Sequence, residues 1–270
     1  MRLGDRTINR LGFGAMRLTG HGIIGEPANR AECRRVLRRA LELGVDFIDT
    51  ADSYGPNVSE KIIAEALHPY PEGLVIATKA GLLRPGPHQW TPDGRPGYLK
   101  AQCEGSLKRL KVERIDLFQL HRVDPKVPVE DQLGALESLV QQGKVRYVGF
   151  SEVGPAILDR ARTSLPVVSV QNKYNLAERT WEPVVDYCTQ HGLAFIPWYP
   201  LGAGAIAGAG LERVAARHSA TKMQVAIAWL LARSPNILPI PGTSKVAHLE
   251  ENMAAASIRL TAADLEELGT

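Results

Sequence analysis

The stretch VDFIDTADSYG, residues 45–55, holds one unit of the fold: an apolar run that ends in an acidic residue and continues into a polar turn. Gly44, in front of it, is typical of the position just after a helix end, and a helical pattern lies near residues 30–43. Another helical pattern lies near residues 58–68. A strand with helices on both sides predicts parallel strand pairing through right-handed crossovers.

The same alternation continues along the chain in both directions. Strand candidates are Leu11 to Ala15, Val45 to Asp49, Leu74 to Thr78, Ile115 to Leu120, Val145 to Phe150, Val167 to Gln171, Ala194 to Tyr199 and Ile237 to Ile240. Helical patterns fall near residues 30–43, 58–68, 98–110, 130–142, 154–164, 179–191, 221–233, 245–255 and 262–268. Eight such units in a chain of 270 residues predict an α/β fold of the (β/α)8 TIM-barrel type, as a single domain over residues 1–270.

Two segments stand outside this alternation. Residues Leu3 to Ile8 contain a Gly-Asp turn and predict a small N-terminal β-hairpin, which can plug the bottom of the barrel. Residues Ala80 to Tyr98, rich in proline and glycine, make a long connection after the third strand. Connections of this length are usually functional or disordered. This one either covers a substrate at the strand ends or is a solvated insertion.

Composition excludes several classes of protein. A hydrophobic content of 44% with 23% charged residues is ordinary for a soluble globular protein. The net charge is +3, and the basic residues are scattered, so we expect no nucleic-acid partner. No apolar stretch approaches the roughly 20 residues of a membrane span. No apolar signal core follows Met1. We therefore expect a cytoplasmic protein with no membrane partner.

Cysteine and histidine usage argues against structural metal or disulfides. Cys33, Cys103 and Cys188 are odd in number and far apart, which favours a reducing compartment over a disulfide framework or a zinc site. The seven histidines show no ligand-like spacing. We expect no metal, and a monomer or a weak homo-oligomer.

Four ionisable side chains lie at or just beyond the predicted strand ends: Asp49, Tyr54, Lys79 and His121. The carboxyl ends of parallel strands meet at one mouth of a barrel, so we expect these side chains to converge there. A tyrosine has an unperturbed pKa near 10, which a neighbouring ammonium would lower. Asp49 would hold Lys79 charged, and His121 would orient a carbonyl oxygen toward Tyr54. Such a centre can protonate an oxygen as hydride arrives at carbon, so a hydride-donating cofactor is implied.

The alternative for each of these residues is structural. An Asp–Lys pair inside a barrel often only stabilises the fold, and a histidine at a strand end often only satisfies a hydrogen bond. Their joint placement at three consecutive strand ends favours function.

The runs FIDTADSYG (47–55), ATK (77–79) and DLFQLH (116–121) resemble the aldo-keto reductase family signature in order and spacing. The resemblance spans nearly the whole chain. It implies a (β/α)8 barrel that binds NADPH across its mouth and reduces small aldehydes or ketones to alcohols. It also implies that Tyr54 is the general acid/base and that Asp49, Lys79 and His121 complete a catalytic tetrad.

Later segments agree with this resemblance. In similar proteins the residues at Ser151 and Gln171 hold the nicotinamide carboxamide, and the aromatic at Tyr199 stacks on the ring. Leu201 and Gly202, which follow, are expected to contact the cofactor as well. Gly202 to Ala207 fits the pattern G-x-G-x-x-A, which we interpret as a flexible loop near the pyrophosphate rather than a Rossmann fingerprint, since no suitable βαβ unit surrounds it.

The segments PIPGTSK (239–245) and LEEN (249–252) resemble the family's site for the adenosine 2′-phosphate. The implied contacts are Gly242, Thr243, Ser244, Lys245, His248, Glu251 and Asn252. A helix N-terminus with free N–H groups, two hydroxyls and a lysine attracts a dianion, although an ordinary Thr/Ser helix cap is the alternative. Two positions depart from the family pattern: Glu152 stands where many relatives have Asn, and His248 where Arg or Gln is common.

Candidates for the substrate pocket are Met16, Arg17, His88, Trp90 and Arg122, which suggest a small polar or aromatic aldehyde. The runs YGPN (54–57) and ALHPYP (66–71) resemble the bacterial pyridoxal reductase-like branch of the family, so pyridoxal is the first candidate substrate.

Two other functions remain open from the sequence. Barrels of this family can serve as NADPH-binding regulatory subunits with little turnover, although an activated tyrosine has less use there. A metal-dependent barrel lyase or isomerase is the weaker alternative, because the histidines lack ligand-like spacing.

Overall fold

A computed structural model describes residues 1–202 and 208–269 of the chain. Within those residues, seven parallel strands form one sheet: β3 (Phe13–Gly14), β4 (Phe47–Asp49), β5 (Val75–Ala80), β8 (Ile115–Leu120), β9 (Val145–Ser151), β10 (Val167–Gln171) and β11 (Ala194–Phe195). Their order across the sheet is β11-β10-β9-β8-β5-β4-β3. Two short hairpins lie outside this sheet: β1 (Arg2–Leu3) with β2 (Arg6–Thr7), and β6 (Leu82–Leu83) with β7 (Thr91–Pro92).

The eighth position of the barrel is filled by extended chain that makes isolated contacts rather than a ladder. Ile237 forms a single parallel bridge with Phe195, and Gly12 donates its N–H to the carbonyl of Pro239 at 2.9 Å. Proline has no N–H to donate, so a segment with Pro239 and Pro241 cannot form a continuous ladder. The predicted strand Ile237 to Ile240 is therefore wrong as a regular strand, but the segment lies where the prediction put it. The (β/α)8 barrel is confirmed.

Glycine allows the backbone of β3 to approach the last segment of the barrel closely. A Cβ on Gly14 would lie 2.6 Å from the carbonyl oxygen of Ile240, and one on Gly242 would lie 2.3 Å from that of Gly14. Real Cβ atoms do not approach that closely, so the two backbones can meet only without side chains. The seam between β3 and the last segment of the barrel carries the residues just before the predicted phosphate site.

The N-terminal hairpin closes the bottom of the barrel, as the sequence predicts. Leu3 and Ile8 are both 2% exposed and pack against side chains in the barrel interior. Those side chains come from neighbouring strands and include Phe47, Val75, Leu117, Ala194 and Leu238. The interior below the mouth is therefore an apolar, filled core.

Helices cover the outside of the sheet. Their bounds are α1 (Arg30–Glu42), α2 (Val58–Leu67), α3 (Pro96–Leu110), α4 (Val129–Gln141), α5 (Pro155–Ala161), α6 (Glu182–His191), α7 (Ala209–Arg217), α8 (Lys222–Arg233), α9 (Val246–Ala254) and α10 (Ala262–Glu267). The sequence analysis missed α7. Its buried residues Leu211, Val214 and Ala215 recur at helical spacing, which is a signal that was available.

Three strands differ in length from the prediction in ways that matter for the site. β5 continues through Lys79 to Ala80, so Lys79 lies inside a strand and not just beyond it. β11 stops at Phe195 instead of Tyr199 because Pro197 and Pro200 interrupt the ladder, although Trp198 still makes a parallel bridge to Lys173. β9 extends to Ser151. The long connection after β5 is partly ordered by the hairpin of β6 and β7.

Candidate active site

The four ionisable side chains lie together at the carboxyl end of the barrel. Asp49 is the last residue of β4, Lys79 is the fifth residue of β5, and His121 directly follows β8. Tyr54 lies in the turn between β4 and α2, where its backbone N–H bonds the carbonyl of Ala51. Because these strands are neighbours in the sheet, their ends converge on one mouth.

Lys79 connects the acid and the phenol. Its side chain is 0% exposed, and its ammonium donates to Asp49 Oδ1 at 2.5 Å, to the carbonyl of Thr50 at 2.8 Å and to the hydroxyl oxygen of Tyr54 at 3.3 Å. An ammonium has three N–H donors, and here all three are used. Burial disfavours the charge on Lys79, but the Asp49 carboxylate and the other contacts outweigh it, and its pKa is raised above the ordinary value.

Two glutamines fix the second oxygen of Asp49. Gln119 on β8 and Gln171 at the end of β10 donate their side-chain amides to Asp49 Oδ2 at 3.0 and 2.9 Å. The carboxylate is thus held by an ammonium on one oxygen and by two amides on the other. Gln171 was predicted to hold the cofactor, and its amide nitrogen is already committed here. Gln119 was missed, although a polar residue inside an apolar strand run is a visible signal.

The pKa of Tyr54 is raised rather than lowered. Burial is the largest cause, and the positive charge of Lys79 opposes it only in part. The sequence-based expectation of a lowered pKa is therefore wrong for this structure, because it considered the neighbouring charge without the loss of solvent. The phenol is protonated at neutral pH, which suits a proton donor.

His121 faces Tyr54 across the mouth. The two rings meet edge to face with centroids 5.9 Å apart, and His121 Nδ1 lies 3.3 Å from the hydroxyl of Ser53. Burial, followed by the charges of Lys79 and Arg122, lowers the pKa of His121 well below its ordinary value. The imidazole is therefore neutral, and Ser53 is a partner that the sequence analysis did not identify.

A cleft of about 900 Å³ opens above this centre. Asp49, Tyr54 and His121 line it, and so do all five predicted pocket residues, Met16, Arg17, His88, Trp90 and Arg122. Of the predicted cofactor residues, Ser151, Gln171, Tyr199, Leu201, Gly242 and Ser244 line it as well. Lys79 lies beneath it. The volume is typical of a pocket for a small-molecule ligand or cofactor.

The connection after β5 forms one wall of the cleft. Trp90 lies with its ring centroid 6.1 Å from that of His121, and the guanidinium of Arg84 lies 3.6 Å from the Trp90 ring. His88 approaches His21 with ring centroids 6.1 Å apart. Of the two interpretations of this connection, a cover over the strand ends agrees with the structure better than a solvated insertion.

The opposite wall comes from the ends of β9 to β11. Ser151 accepts a hydrogen bond from Arg122 Nη1 at 2.9 Å. Glu152 accepts from the Trp198 indole at 2.6 Å and from the Lys173 N–H at 2.7 Å. Tyr199 is 38% exposed on the rim. Trp198 lines the cleft but was not predicted as a site residue.

The predicted phosphate site at the start of α9 differs from the expectation of free N–H groups. Thr243 accepts the Lys245 N–H at 3.1 Å, and Glu32 of α1 accepts the Val246 N–H at 3.3 Å. Lys245 itself is exposed. A carboxylate from a distant helix thus occupies part of the site, a contact that no local sequence signal could reveal.

The remaining predicted residues on α9 lie outside the cleft. Glu251 accepts a hydrogen bond from the Thr221 hydroxyl at 2.7 Å and so turns toward α8. Asn252 is buried at 6% exposure, whereas His248 is exposed. Gly202 donates its N–H to the carbonyl of Tyr199, and Ala203 to Ala207 of the G-x-G-x-x-A pattern lie outside the described residues.

Within residues 1–202 and 208–269, no group of three or more His, Cys, Asp or Glu side chains is arranged to hold a metal ion. No helix in the same residues is both long and apolar enough to cross a bilayer. Cys33, Cys103 and Cys188 are buried free thiols.

Comparison with known proteins gives close relatives over almost the full chain. An uncharacterized oxidoreductase of Schizosaccharomyces pombe is 51% identical over 274 residues, which cover 100% of this chain and 89% of that protein. Pyridoxine 4-dehydrogenase of Escherichia coli is 44% identical over 266 residues, covering 96% of this chain and 93% of the relative. The second similarity supports the pyridoxal reductase-like branch.

A solved structure agrees in fold. The aldo-keto reductase from Klebsiella pneumoniae in complex with NADPH is 25% identical, with a TM-score of 0.85, covering 99% of this chain and 93% of that one. Residues 10–269 match the Aldo/keto reductase family. The chain therefore belongs to the aldo/keto reductase family and is an oxidoreductase of that family.

Proposed function

We propose that the protein reduces small aldehydes or ketones to alcohols with NADPH, that Tyr54 is the proton donor, and that pyridoxal is a substrate. The observation that carries this proposal is the position of the Lys79 ammonium, 2.5 Å from Asp49 Oδ1 and 3.3 Å from the Tyr54 hydroxyl, beneath a cleft. A lysine that only stabilised the barrel would have no reason to contact a phenol facing that cleft.

The hydride for the carbonyl carbon would come from NADPH, which would leave as NADP⁺. Tyr54 would give its phenolic proton to the carbonyl oxygen, so the product would be an alcohol. The phenolate left on Tyr54 is stabilised by Lys79, whose charge Asp49 maintains. A proton from solvent then restores the phenol. A positioned acid of this kind contributes roughly 10²–10⁴-fold to rate.

His121 orients the carbonyl oxygen. When the Ser53 hydroxyl donates to Nδ1, the proton of the neutral ring is on Nε2, which can donate to the substrate. The low pKa of His121 keeps this donor neutral, so it does not compete with Tyr54 as an acid. In the proposed complex both donors, whose rings lie edge to face, would bond the same carbonyl oxygen.

The charge of the cleft supports the binding of NADPH. Asp49 is the one carboxylate among the described residues that line it, and Lys79 neutralises that charge. Ser151, Gln171 and Tyr199 would hold the nicotinamide end, and Leu201 and Gly202 would follow. Gly242, Thr243, Ser244 and Lys245, with His248, Glu251 and Asn252 on α9, would hold the adenosine phosphate end. Glu32 would have to release the Val246 N–H for a phosphate to bind there.

Pyridoxal is supported by the relative and by the pocket. The E. coli relative, at 44% identity, is a pyridoxine 4-dehydrogenase. Trp90 and Trp198 give the cleft two indole rings that can contact a flat aromatic aldehyde. The pocket candidates Met16, Arg17 and His88 lie on the same cleft.

The alternative from another class is an NADPH-binding regulatory subunit with little turnover. The closely paired Asp49, Lys79 and Tyr54 favour the enzyme, because burial of an ion pair beneath a phenol is costly and a binding protein gains nothing from it.

The test is turnover by the purified protein. With NADPH and pyridoxal, we expect loss of reduced nicotinamide matched one to one by pyridoxine, identified by chromatography. A small neutral aromatic aldehyde tests the wider class. NADPH binding without turnover of any aldehyde in the panel would contradict the enzyme and favour the regulatory subunit, whereas turnover of other aldehydes but not pyridoxal would contradict only the substrate.

A further inference from the structure

The ionisable side chains that line the cleft carry more positive than negative charge. Among the described residues that line it, Arg17 and Arg122 are cations, and Asp49, already paired with Lys79, is the carboxylate. Arg17 is exposed, whereas Arg122 is partly buried beside His121. Lys79 lies beneath the cleft and is paired with Asp49, so Arg122 is the cleft-lining cation whose field acts on both Tyr54 and His121.

Arg122 is held in place through one nitrogen. Nη1 donates to the carbonyl of His121 at 2.6 Å and to the hydroxyl of Ser151 at 2.9 Å. The guanidinium carbon lies 5.8 Å from the Trp198 ring. In the part of the chain that the structure describes, Nη2 and Nε make no protein hydrogen bond and are not sealed from the cleft. A planar fork is thus fixed at one edge and available at the other.

No carboxylate neutralises this guanidinium by contact. Glu152 acts on Arg122 from a distance, but its oxygen Oε1 is committed to the Trp198 indole and the Lys173 N–H. Within residues 1–202 and 208–269 the structure contains no ion pair of Arg122, unlike the paired arginines Arg109 and Arg233. A partly buried cation without a counter-ion is costly unless a ligand supplies the charge.

We propose that Arg122 is a specificity-determining residue that binds an anionic oxygen of the carbonyl substrate, such as a carboxylate, a phosphate or a phenolate, close to the reacting carbonyl. This inference rests on the proposed reductase function and narrows its substrate class. Arg122 and His121 line the same cleft, so an anion on the free edge of Arg122 would lie near the carbonyl that Tyr54 and His121 hold. In pyridoxal, the acidic ring hydroxyl beside the aldehyde is the group that would take this place.

The test compares two aldehydes of the same shape. Meta-carboxybenzaldehyde carries a carboxylate where meta-formylbenzamide carries a neutral amide, so the ratio of their kcat/KM values measures recognition of charge. A charge-assisted hydrogen bond is roughly twice as strong as a neutral one, so we expect the wild type to prefer the carboxylate by about 10-fold or more. In Arg122→Met the ratio should fall to about 1. Arg122→Lys should keep part of the preference, because a lysine preserves the charge and loses the fork.

Arg17→Met is the matched control, since it removes a second cleft cation at an exposed position. Its ratio should stay within about 3-fold of the wild type, because exposed charges are screened. NADPH affinity, measured by fluorescence for each variant, separates an effect on Ser151 and the cofactor from one on the substrate.

Three outcomes would overturn the inference. They are a wild-type ratio near 1, a ratio that Arg122→Met leaves unchanged, and an equal fall in Arg17→Met, which would indicate the general field of the cleft. The wild-type ratio decides the matter even when a variant does not fold. Failure of the wild type to reduce these two aldehydes and pyridoxal alike would instead overturn the proposed function itself.

Discussion

The Tyr54 end and the α9 end of the cleft hold their lysine charges in opposite ways. At the Tyr54 end, Lys79 is 0% exposed and every donor of its ammonium has a partner from the chain itself. At the α9 end, Lys245 is exposed and Glu32 occupies a helix N–H that a phosphate would need. Burial explains the difference, because an unpaired charge is costly only where water is excluded.

The two ends differ in how they depend on a ligand. The Tyr54 end is assembled without one, whereas a bound phosphate would complete the α9 end. Asp49 is fixed by one ammonium and two amides without a substrate, so Tyr54, the proposed proton donor, contacts an ion pair that is already ordered. At the α9 end, a bound phosphate would have to replace the Glu32 carboxylate at the Val246 N–H. We therefore expect large effects on stability and rate at the first end and modest effects on affinity at the second.

The largest expected effect is on stability at the buried end. Asp49→Leu leaves the Lys79 ammonium buried without its counter-ion, which should destabilise the fold by about 3–5 kcal/mol. The double variant Asp49→Leu with Lys79→Met should recover much of that loss, since no charge is then buried. Chemical denaturation measures both. The exposed pair Arg39–Glu250 is the control, and its removal should change little. Equal stability of the single and double variants would contradict the argument.

A second buried carboxyl near Tyr54 should make stability depend on pH. Burial, and then the charge of Glu60, raises the pKa of Asp52 to about 8 from an unfolded value of 3.8. The folded state therefore holds a proton that the unfolded state releases, and stability falls as pH rises from about 4 to about 8. In Asp52→Asn this fall should disappear, giving an advantage on the order of a few kcal/mol above pH ~8. Parallel stability–pH curves for variant and wild type would contradict it.

The Tyr54 end of the cleft was predicted from the sequence better than the α9 end. Asp49 and His121 were placed from local pattern alone, because an ionisable residue after an apolar run identifies a strand end. The raised pKa of Tyr54 was missed, since burial depends on everything packed around the turn. The Glu32 contact joins residues 214 positions apart, so only the packing of α1 on α9 reveals it.

The errors in the predicted fold have two different causes. The prolines that interrupt Ile237 to Ile240 are visible in the sequence, and so is the apolar spacing of α7. Those two errors are errors of interpretation, because both signals are present in the sequence. Closure of the barrel through the bare backbones of Gly14 and Gly242, by contrast, depends on two segments far apart in the chain meeting in space.

At the α9 end, Lys245→Ala should weaken NADPH binding by roughly 5-fold and leave NADH binding within about 2-fold. The reason is that the exposed ammonium at this helix start acts on the 2′-phosphate, which NADH lacks. Dissociation constants from fluorescence titration measure both, with the exposed Lys108→Ala on α3 as control. Equal losses for the two cofactors would remove Lys245 from the phosphate site.

The smallest effect should come from Glu32→Gln, which removes the carboxylate that accepts the Val246 N–H and pairs with Arg35. Because a negative charge at the helix start opposes a dianion, NADPH should bind about 2–3-fold more tightly, with NADH unchanged. Weaker NADPH binding in this variant would indicate that Glu32 supports the site instead of competing with phosphate.

Tyr54→Phe tests the proposal that Tyr54 delivers the proton from a site assembled before substrate binds. Loss of the hydroxyl should leave the NADPH dissociation constant within about 2-fold and lower single-turnover reduction of pyridoxal by roughly 10²-fold or more. Reduction at close to the wild-type rate, with NADPH bound normally, would show that Tyr54 is not the proton donor.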